Sequence, residues 1–189
     1  MKLLSRIFLI SFFLPAIAFT EVDLNELYID LHQNPELSFQ EEETSQKLAQ
    51  LLKDMGFEVT PEVGGFGVVA VFENGPGKTL MIRADMDALP LEEKTGAKYA
   101  SKKKSINQVG AEVFTMHACG HDIHMTSLIG TAQNLIKMRE DWSGTLVLNL
   151  QPAEERGSGA RAMIRDGIFE RFPRPDFNLA LHVSAHLPA

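Results

Sequence analysis

The chain has 189 residues, carries 25 acidic against 18 basic side chains, and has a formal net charge of −7. Its apolar fraction of 44% is ordinary for a folded domain, which excludes a disordered chain. A mildly acidic chain lacks the basic surface that nucleic-acid binding requires, so we expect no nucleic-acid partner.

A signal peptide is predicted at the N-terminus, residues 1–18. Lys2 and Arg6 precede an apolar stretch, which ends on AIA, the pattern of a cleavage site. The stretch is too short to span a bilayer comfortably, although an uncleaved anchor is the alternative. We therefore expect an exported protein, periplasmic or secreted, with residues 19–189 as its folded part. No stable membrane insertion is expected after cleavage.

Two helices are predicted next. Apolar residues recur at helical spacing through 21–56, with a break at Asn34-Pro35 and an end at Gly56. Ser38 and Glu41 have the spacing of a capping box, which predicts that the second helix begins there.

Strands and helices alternate in the rest of the chain. Two apolar runs, 67–72 and 79–83, flank the tight turn NGPG and are predicted to pair as a hairpin. Beyond a long polar stretch, the pattern predicts helix, strand, helix and strand at 121–139, 145–150, 159–166 and 179–183. This alternation indicates a layered α/β domain.

Polar clusters occur at or near four of these elements. They are Asp85 and Asp87, Cys119 and His121, Glu154 and Glu155, and His182, which lies within the last predicted strand. Sites in open α/β sheets form beyond the carboxyl ends of strands, so convergence of these clusters is expected. Thiolate, imidazole and carboxylate together suit zinc, and imidazole with carboxylate also suits manganese.

Each cluster, taken alone, also has a structural explanation. Aspartates are common in turns, glutamates favour the first turn of a helix, and a lone histidine is often a satisfied core residue. Cys119 is the one cysteine of the chain and can be buried, paired between chains, or bound to a metal. His117 and His124 are candidates either for contact with the site or for packing. A purely structural protein would leave Cys119 and the acidic pairs unexplained.

The adjacent pair Glu154-Glu155 suits metal-dependent hydrolysis. Neighbouring side chains on an extended or turning backbone diverge, so one can bind a metal while the other faces the substrate. A metal-bound water has a lowered pKa, and a nearby carboxylate can take its proton. Asp85 and Asp87 point to the same side of an extended backbone, where they can bind a metal or orient an imidazole.

Four stretches resemble motifs of the M20 metallopeptidases in order and spacing. They are IRADMDALPLEEKTG (82–96), MHACGHDIHMTSLIGTA (116–132), LNLQPAEERGSGARAMIRDG (148–167) and LALHV (179–183). The branch that they resemble includes hippurate hydrolase, the N-acyl-amino-acid deacylases and the plant auxin-conjugate hydrolases. The resemblance runs from about Leu24 to the end of the chain.

This resemblance implies a zinc-exopeptidase-like α/β/α sandwich with a mixed sheet. It implies hydrolysis of amide bonds in N-acyl amino acids or short peptides. Two divalent metal ions are implied, zinc or manganese, with cobalt or nickel as alternatives. Cys119 is implied as the bridging ligand, with further ligands His121, Glu155 and His182. Glu154 is implied as the general base acting on metal-bound water, Asp87 as a support of the site, and Asp85 as a support or a further candidate ligand.

The chain is much shorter than the family pattern. Family chains continue beyond the LHV motif into a lid or dimerisation domain, then complete the catalytic domain and supply a last histidine ligand. We therefore expect the N-terminal part of an incomplete catalytic domain, with an exposed sheet edge. Its partner is expected to be a second copy or a missing C-terminal half. The alternative function is a catalytically inactive fragment that still binds metal or a partner chain.

Two smaller departures from the family pattern are visible. His186 lies too near His182 to be taken as a replacement for the missing ligand. The segment 100–115 resembles a loop insertion.

Overall fold

The structure is a computed structural model that describes residues 20–184. The predicted signal peptide and His186 lie outside the described residues. The helices are α1 (Leu24–Gln33), α2 (Glu42–Asp54), α3 (His121–Lys137), α4 (Gly159–Arg165) and α5 (Ile168–Arg171). The strands are β1 (Glu58–Thr60), β2 (Val68–Asn74), β3 (Thr79–Asp85), β4 (Lys104–Ile106), β5 (Glu112–Phe114), β6 (Gly144–Gln151) and β7 (Phe177–Ala180).

Five strands form one mixed sheet in the order β1-β2-β6-β3-β7. The β1–β2 and β2–β6 pairs are antiparallel, whereas β3 runs parallel to both β6 and β7. The strands β4 and β5 form a separate antiparallel hairpin within the polar segment 100–115. The mixed sheet that the sequence predicted is therefore confirmed.

The predicted hairpin between the first two apolar runs is wrong, because β6 lies between β2 and β3. The turn NGPG does not close a hairpin but passes over the first residue of β6. A Cβ atom on Gly77 would lie 2.8 Å from the Cα atom of Gly144. The glycines therefore permit a close approach between two chain segments, a role that local turn chemistry does not distinguish from a hairpin turn.

The core has one hydrophobic cluster on each face of the sheet. The larger cluster joins residues of α1, α2 and α3 to even-numbered residues of β6, such as Leu146 and Leu148. The smaller one joins Val147 to Val63, Met163 and Ile168. Since side chains alternate across a strand, these clusters lie on opposite faces. The α/β/α sandwich is confirmed, and all the predicted helices are present within a few residues of their predicted bounds.

The start of α2 differs from the predicted capping box. Glu41 is the N-cap residue but makes no capping hydrogen bond within the described chain. The Glu36 carboxylate instead accepts hydrogen bonds from the backbone N–H groups of Glu43 and Thr44, at 3.3 and 2.8 Å. Ser38 and Glu41 are used elsewhere, as described below.

Within residues 20–184, the helices are all too short or too polar to cross a lipid bilayer.

Candidate metal centre

The chemically important segments meet at one edge of the sheet. The strands β3, β6 and β7 are parallel, so their carboxyl ends lie at the same edge. Asp85 ends β3, Glu154 and Glu155 follow β6, and His182 follows β7. His121 is the first residue of α3, whose N-terminus lies at the same place. Parallel pairing thus brings together residues that are far apart in the sequence.

Two groups of candidate ligand atoms form there. The first consists of Cys119, His121 and Glu155, and the second of Asp85, His121, His124 and His182. Within each group the ligand atoms all lie within 4.8 Å of one another. His121 belongs to both groups, and the Cys119 Sγ atom lies 3.4 Å from His182 Nε2. The structure therefore brings together the four predicted ligands, with Asp85, and adds His124.

His121 is buried and its ring has a defined orientation. Its Nδ1 atom lies 2.7 Å from the backbone oxygen of Asp87 and must donate a proton to it, since a carbonyl only accepts. When the ring is neutral, its Nε2 atom therefore carries the lone pair, and this atom has no hydrogen-bond partner in the described chain. This atom faces carboxylate oxygens of Asp85, Glu154 and Glu155, at 3.8, 3.8 and 3.9 Å.

The surroundings of His121 are strongly acidic. Burial opposes its protonation, but the hydrogen bond with Asp87 and the charge of Asp85 outweigh burial and raise the pKa of His121. The same acidic groups that favour a proton at this position also favour a metal cation.

Asp87 has both carboxylate oxygens occupied. It accepts hydrogen bonds from Ser38 Oγ at 2.5 Å and from the backbone N–H groups of Glu154 and Glu155 at 3.0 Å each. Burial alone would raise the pKa of Asp87, but the bonds from His121, Ser38 and the two backbone groups lower it. Asp87 thus positions the Glu154-Glu155 turn and does not itself face an open space.

The turn that carries the two glutamates is fixed by a hydrogen bond to Glu41. The Glu41 carboxylate accepts a hydrogen bond from Ala153 N at 2.8 Å, and Ala153 has a φ of 47°. A non-glycine residue in this conformation stores strain, which the surrounding structure must compensate. The two glutamate side chains both reach His121 Nε2 but differ in exposure, since Glu154 is 37% exposed and Glu155 only 17%.

Asp85 is buried at the end of β3. Its Oδ1 atom forms an ion pair with Arg83, and its Oδ2 atom faces His121 and also His124 Nδ1, which lies at 3.9 Å. Burial raises the pKa of Asp85, and the charge of Arg83 opposes that shift. Asp85 therefore has one oxygen directed at the two histidines, as a candidate ligand requires.

His182 lies beyond the last strand, because β7 ends at Ala180 and not at Val183 as the sequence predicted. The His182 Nδ1 atom donates to the backbone oxygen of Val183 at 2.6 Å, which leaves Nε2 directed at Cys119. Because the strand ends before His182, this histidine lies outside the sheet and its ring faces the other candidate ligands.

His124 holds this terminal segment in place. Its Nε2 atom accepts a hydrogen bond from Val183 N at 3.0 Å. Burial and the neighbouring charges of His121 and His182 lower the pKa of His124 to about 4, so the ring is neutral near pH 7. Gly120, with a φ of 80°, allows the same segment to approach closely, since a Cβ atom there would lie 2.5 Å from Val183 Cγ2.

The thiol of Cys119 needs a cation to ionise. Burial and the negative charge of Glu155 raise its pKa to about 11, so it is protonated at neutral pH when no cation is bound. A bound divalent metal deprotonates a coordinating thiol outright. Buried polar atoms without hydrogen-bond partners in the described chain occur on Asp85, His121, His124 and Glu155. The donor set therefore fits a divalent metal ion.

The sequence did not predict every residue of the candidate site. His124 was left undecided, although it lies three residues after His121 on the same face of α3, a spacing that could have identified it. Glu41 and Ser38 form hydrogen bonds with residues far away in the sequence, which no local sequence pattern predicts. His117 is buried and belongs to neither ligand group, and burial lowers its pKa to about 4.

A second polar cluster lies beside the first turn of α3. His32 Nδ1 is 2.7 Å from Asp122 Oδ2, and His32 Nε2 is 3.1 Å from Glu93 Oε1. The other oxygen of Glu93 accepts a hydrogen bond from Ser101 N at 2.5 Å. Burial opposes protonation of His32, but the bonds to Asp122 and Glu93 raise its pKa. Both ring nitrogens are in use, so this cluster fits a structural role.

Comparisons with known proteins find relatives of similar sequence. The sequence model of peptidase family M20/M25/M40 matches residues 81–189. The hippurate hydrolase of Campylobacter jejuni is 44% identical over 160 residues, which are 84% of this chain and 39% of the hydrolase. The N-acetyl-L-cysteine deacetylase of Bacillus subtilis is 44% identical over 138 residues, or 72% of this chain and 31% of the deacetylase.

A solved structure is similar over the same region. The YXEP protein of Bacillus subtilis, a dinuclear metal-binding peptidase, superposes with a TM-score of 0.75 at 38% identity. The similarity covers 87% of this chain and 43% of that protein. The chain thus spans less than half the length of each of these three relatives.

Proposed function

Because this chain belongs to peptidase family M20/M25/M40, we propose that it forms the metal-binding part of a hydrolase that cuts amide bonds in N-acyl amino acids or short peptides. One observation carries the proposal: two groups of ligand atoms share His121 at the carboxyl edge of the sheet. Similarity to a hippurate hydrolase, a deacetylase and a dinuclear peptidase supports the same reaction class.

The proposed cofactor is a pair of divalent metal ions, zinc or manganese, with cobalt or nickel as alternatives. Cys119, His121, Glu155 and His182 would hold them, with Asp85 as an additional candidate. When bound, such ions lower the pKa of coordinated water and polarise the amide carbonyl. The mixture of thiolate, imidazole and carboxylate donors supports this choice.

Glu154 is the proposed general base. It removes a proton from the attacking water, and it delivers that proton to the amine nitrogen when the C–N bond breaks. Its carboxylate lies 3.8 Å from His121 Nε2 and is more exposed than that of Glu155, so it can reach a substrate. Asp87 fixes the position of Glu154 by accepting its backbone N–H group, and is proposed as a positioning residue.

A second candidate function is a chain that binds metal or a partner polypeptide and hydrolyses nothing. The observation that favours it is the edge strand β7, which pairs only with β3 among the described strands. Exposed apolar side chains line this edge at Phe177, Leu179 and Leu181. A second copy or a complementary chain would bury them.

Export through residues 1–18 stays a prediction.

Hydrolysis tests the first proposal against the second. Residues 19–189 would be loaded with Zn²⁺ or Mn²⁺ and assayed on a panel of N-acetyl and N-benzoyl amino acids. We expect turnover, and we expect Glu154→Gln to lower kcat by about 100-fold or more, since general bases contribute on that order. The matched control is Glu73→Gln, an exposed residue of β2 that belongs to neither ligand group.

The outcomes separate the two candidates. Unchanged turnover in Glu154→Gln would remove Glu154 from the role of base. Tight metal binding without turnover in the parent chain would favour the inactive binding chain.

A further inference from the structure

Glu41 is a buried carboxyl group that the proposed mechanism does not use. It lies at the start of α2 and is 0% exposed. It belongs to neither group of candidate ligand atoms. One of its oxygens accepts the hydrogen bond from Ala153 N, and the other has no hydrogen-bond partner in the described chain. Burial of an incompletely paired carboxyl group is unfavourable, so its presence at this place requires an explanation.

Three consecutive backbone N–H groups point at buried carboxyl groups in the turn after β6. Ala153 N donates to Glu41 at 2.8 Å. The next two N–H groups, of Glu154 and Glu155, both donate to Asp87 at 3.0 Å. Successive N–H groups in a turn can form a concavity that binds anions, and here the chain itself supplies the acceptors. The directions of all three peptide groups are therefore set by Glu41 and Asp87 together.

Ala153 is the residue of this turn that most needs support. Its φ of 47° is unfavourable for an alanine, because the Cβ atom crowds the backbone in this conformation. Its carbonyl oxygen accepts hydrogen bonds from Ser158 N and Gly159 N at 3.2 and 3.1 Å, which fixes the peptide group that follows it. The peptide group that precedes it is fixed by the bond from its own N–H group to Glu41. Loss of this acceptor would leave a buried N–H group unpaired.

The conformation of residue 153 determines where the two glutamates lie. The Glu154 and Glu155 carboxylates come within 3.8 and 3.9 Å of the same atom, His121 Nε2. Both residues follow residue 153 directly, so a rotation of its backbone would move both carboxylates away from this atom. A displacement of about 1 Å at a reacting group can lower a rate by about a hundredfold.

We propose that Glu41 is a positioning residue of the hydrolysis. By accepting the N–H group of Ala153, it holds that residue in its left-handed conformation and so directs Glu154 and Glu155 at the candidate metal centre. The proposal rests on the proposed function, because it concerns the base and a ligand assigned there. Glu41 itself touches neither the metal nor the substrate.

A matched pair of substitutions isolates the hydrogen bond in the full chain. Glu41→Met and Glu41→Gln introduce uncharged, unbranched side chains of similar length. Only the glutamine retains an oxygen that accepts a hydrogen bond, since a thioether is a weak acceptor. The control for a general loss of stability is Leu48→Ala, which removes a buried side chain of α2 from the larger hydrophobic cluster.

Hydrolysis of N-acetyl and N-benzoyl amino acids by the Zn²⁺-loaded chain gives the first result. We expect Glu41→Met to lower kcat about tenfold or more with little change in KM, because the misplaced base acts in the chemical step. Its dissociation constant for Zn²⁺ should rise about three- to tenfold, because Glu155 lies in the same turn. Glu41→Gln should restore both values, and Leu48→Ala should lower only Tm. Equal kcat in the methionine and glutamine variants would overturn the proposal.

A second substitution tests whether Glu41 acts through residue 153. Glycine adopts a positive φ about as readily as a negative one, so Ala153→Gly removes the strain that Glu41 opposes. We expect Glu41→Met combined with Ala153→Gly to regain about threefold or more in kcat over Glu41→Met alone. A double variant as slow as Glu41→Met would contradict the proposed route.

Amide hydrogen exchange at Ala153, followed by NMR in the metal-free chain, is independent of turnover. We expect exchange of this N–H group, relative to the amides of β6, to be about tenfold faster in Glu41→Met than in Glu41→Gln, since an unpaired group opens locally. The Leu48→Ala chain should resemble the parent in this ratio. An unchanged ratio in Glu41→Met would overturn the positioning role even if turnover were present. A raised ratio in a chain that hydrolyses nothing would support the contact and reject the proposed function.

Discussion

Two polar clusters lie on either side of the first turn of α3, and they differ in how completely their atoms are paired. His121 belongs to the candidate metal centre, and the adjacent residue Asp122 belongs to the cluster around His32. Around His32, both ring nitrogens face a carboxylate, at 2.7 and 3.1 Å. Around His121, buried atoms without partners in the described chain remain on Asp85, His124 and Glu155.

The difference distinguishes a polar cluster that completes the fold from one that is ready for a ligand. Buried polar atoms in native proteins are nearly always hydrogen-bonded, so a concentration of unpaired ones requires an explanation. The cluster around His32 satisfies its own atoms and stabilises the chain. The cluster around His121 leaves lone pairs directed at a common space and fits a metal. The predictions below test this distinction.

The largest expected effect is on the paired cluster. His32→Ala leaves the buried carboxylates of Asp122 and Glu93 without their shared partner, which typically costs about 3–5 kcal/mol. The free energy of unfolding in urea, without metal, measures the loss. Cys119→Ala in the other cluster is the control and should cost less than about 1 kcal/mol, since its thiol is half-buried and uncharged. Similar losses in both variants would contradict the distinction.

The stabilisation that Zn²⁺ adds should depend on these two residues in the opposite order. At a hundredfold excess over its dissociation constant, Zn²⁺ should stabilise the parent chain by about 2.7 kcal/mol, because it binds only the folded form. We expect Cys119→Ala to lose most of this increment and His32→Ala to retain it, as measured by the shift in Tm on titration with Zn²⁺. If the Zn²⁺-dependent stabilisation were lost in His32→Ala, the metal would bind in the cluster around His32, and the distinction would be wrong.

Glu41 provides an intermediate case, with one paired oxygen and one unpaired. Burial raises its pKa to about 7, partly opposed by the hydrogen bond from Ala153 N. The folded chain therefore binds a proton more tightly than the unfolded chain, whose ordinary value is 4.5. Stability from this group falls as pH rises from about 4.5 to about 7.

Glu41→Gln should remove that pH dependence. Its amide oxygen still accepts from Ala153 N, and no charge is buried above pH 7. We expect the variant to be more stable than the parent at pH 8, by on the order of 2 kcal/mol, and the difference to vanish below pH 4.5. Urea unfolding across this range measures it, and a pH-independent difference would show that the Glu41 carboxyl does not titrate in the folded chain.

The smallest expected effect is at Ser38. Asp87 belongs to the candidate metal centre but is paired like the residues of the other cluster, so removal of one donor should affect stability. Ser38→Ala is expected to cost about 1.5 kcal/mol, the range for a hydrogen bond to a charged group. Ser127→Ala, at an exposed position of α3, is the control and should change stability little. Equal stability of the two variants would show that Asp87 tolerates the loss of a donor.

The sequence predicted the parts of this molecule that have a local period or a motif. The helix α3 was expected over 121–139 and occupies His121–Lys137, because its apolar face repeats at helical spacing. Cys119, His121, Glu155 and His182 were located through their motifs, and parallel strands bring them together.

What the sequence did not predict depends on contacts between distant segments. The insertion of β6 between β2 and β3 involves residues about 65 positions apart, which a local turn signal cannot report. Ser38 matched a capping pattern but donates to Asp87, 49 residues further along the chain. His182 was placed in a strand because it lies between apolar residues, whereas pairing with β3 stops at Ala180.

Gly120 has a consequence for how this gene tolerates mutation. Every single-base missense change in a glycine codon introduces a side chain, and any Cβ atom at this position would crowd Val183 and occupy an unfavourable backbone conformation. The apolar core lies elsewhere, so such an allele would still encode a folded protein. Its His182 segment, however, would be displaced from Cys119. Codon 120 is therefore a place where an evolving copy of the gene can disturb the candidate metal centre in one step and keep its fold.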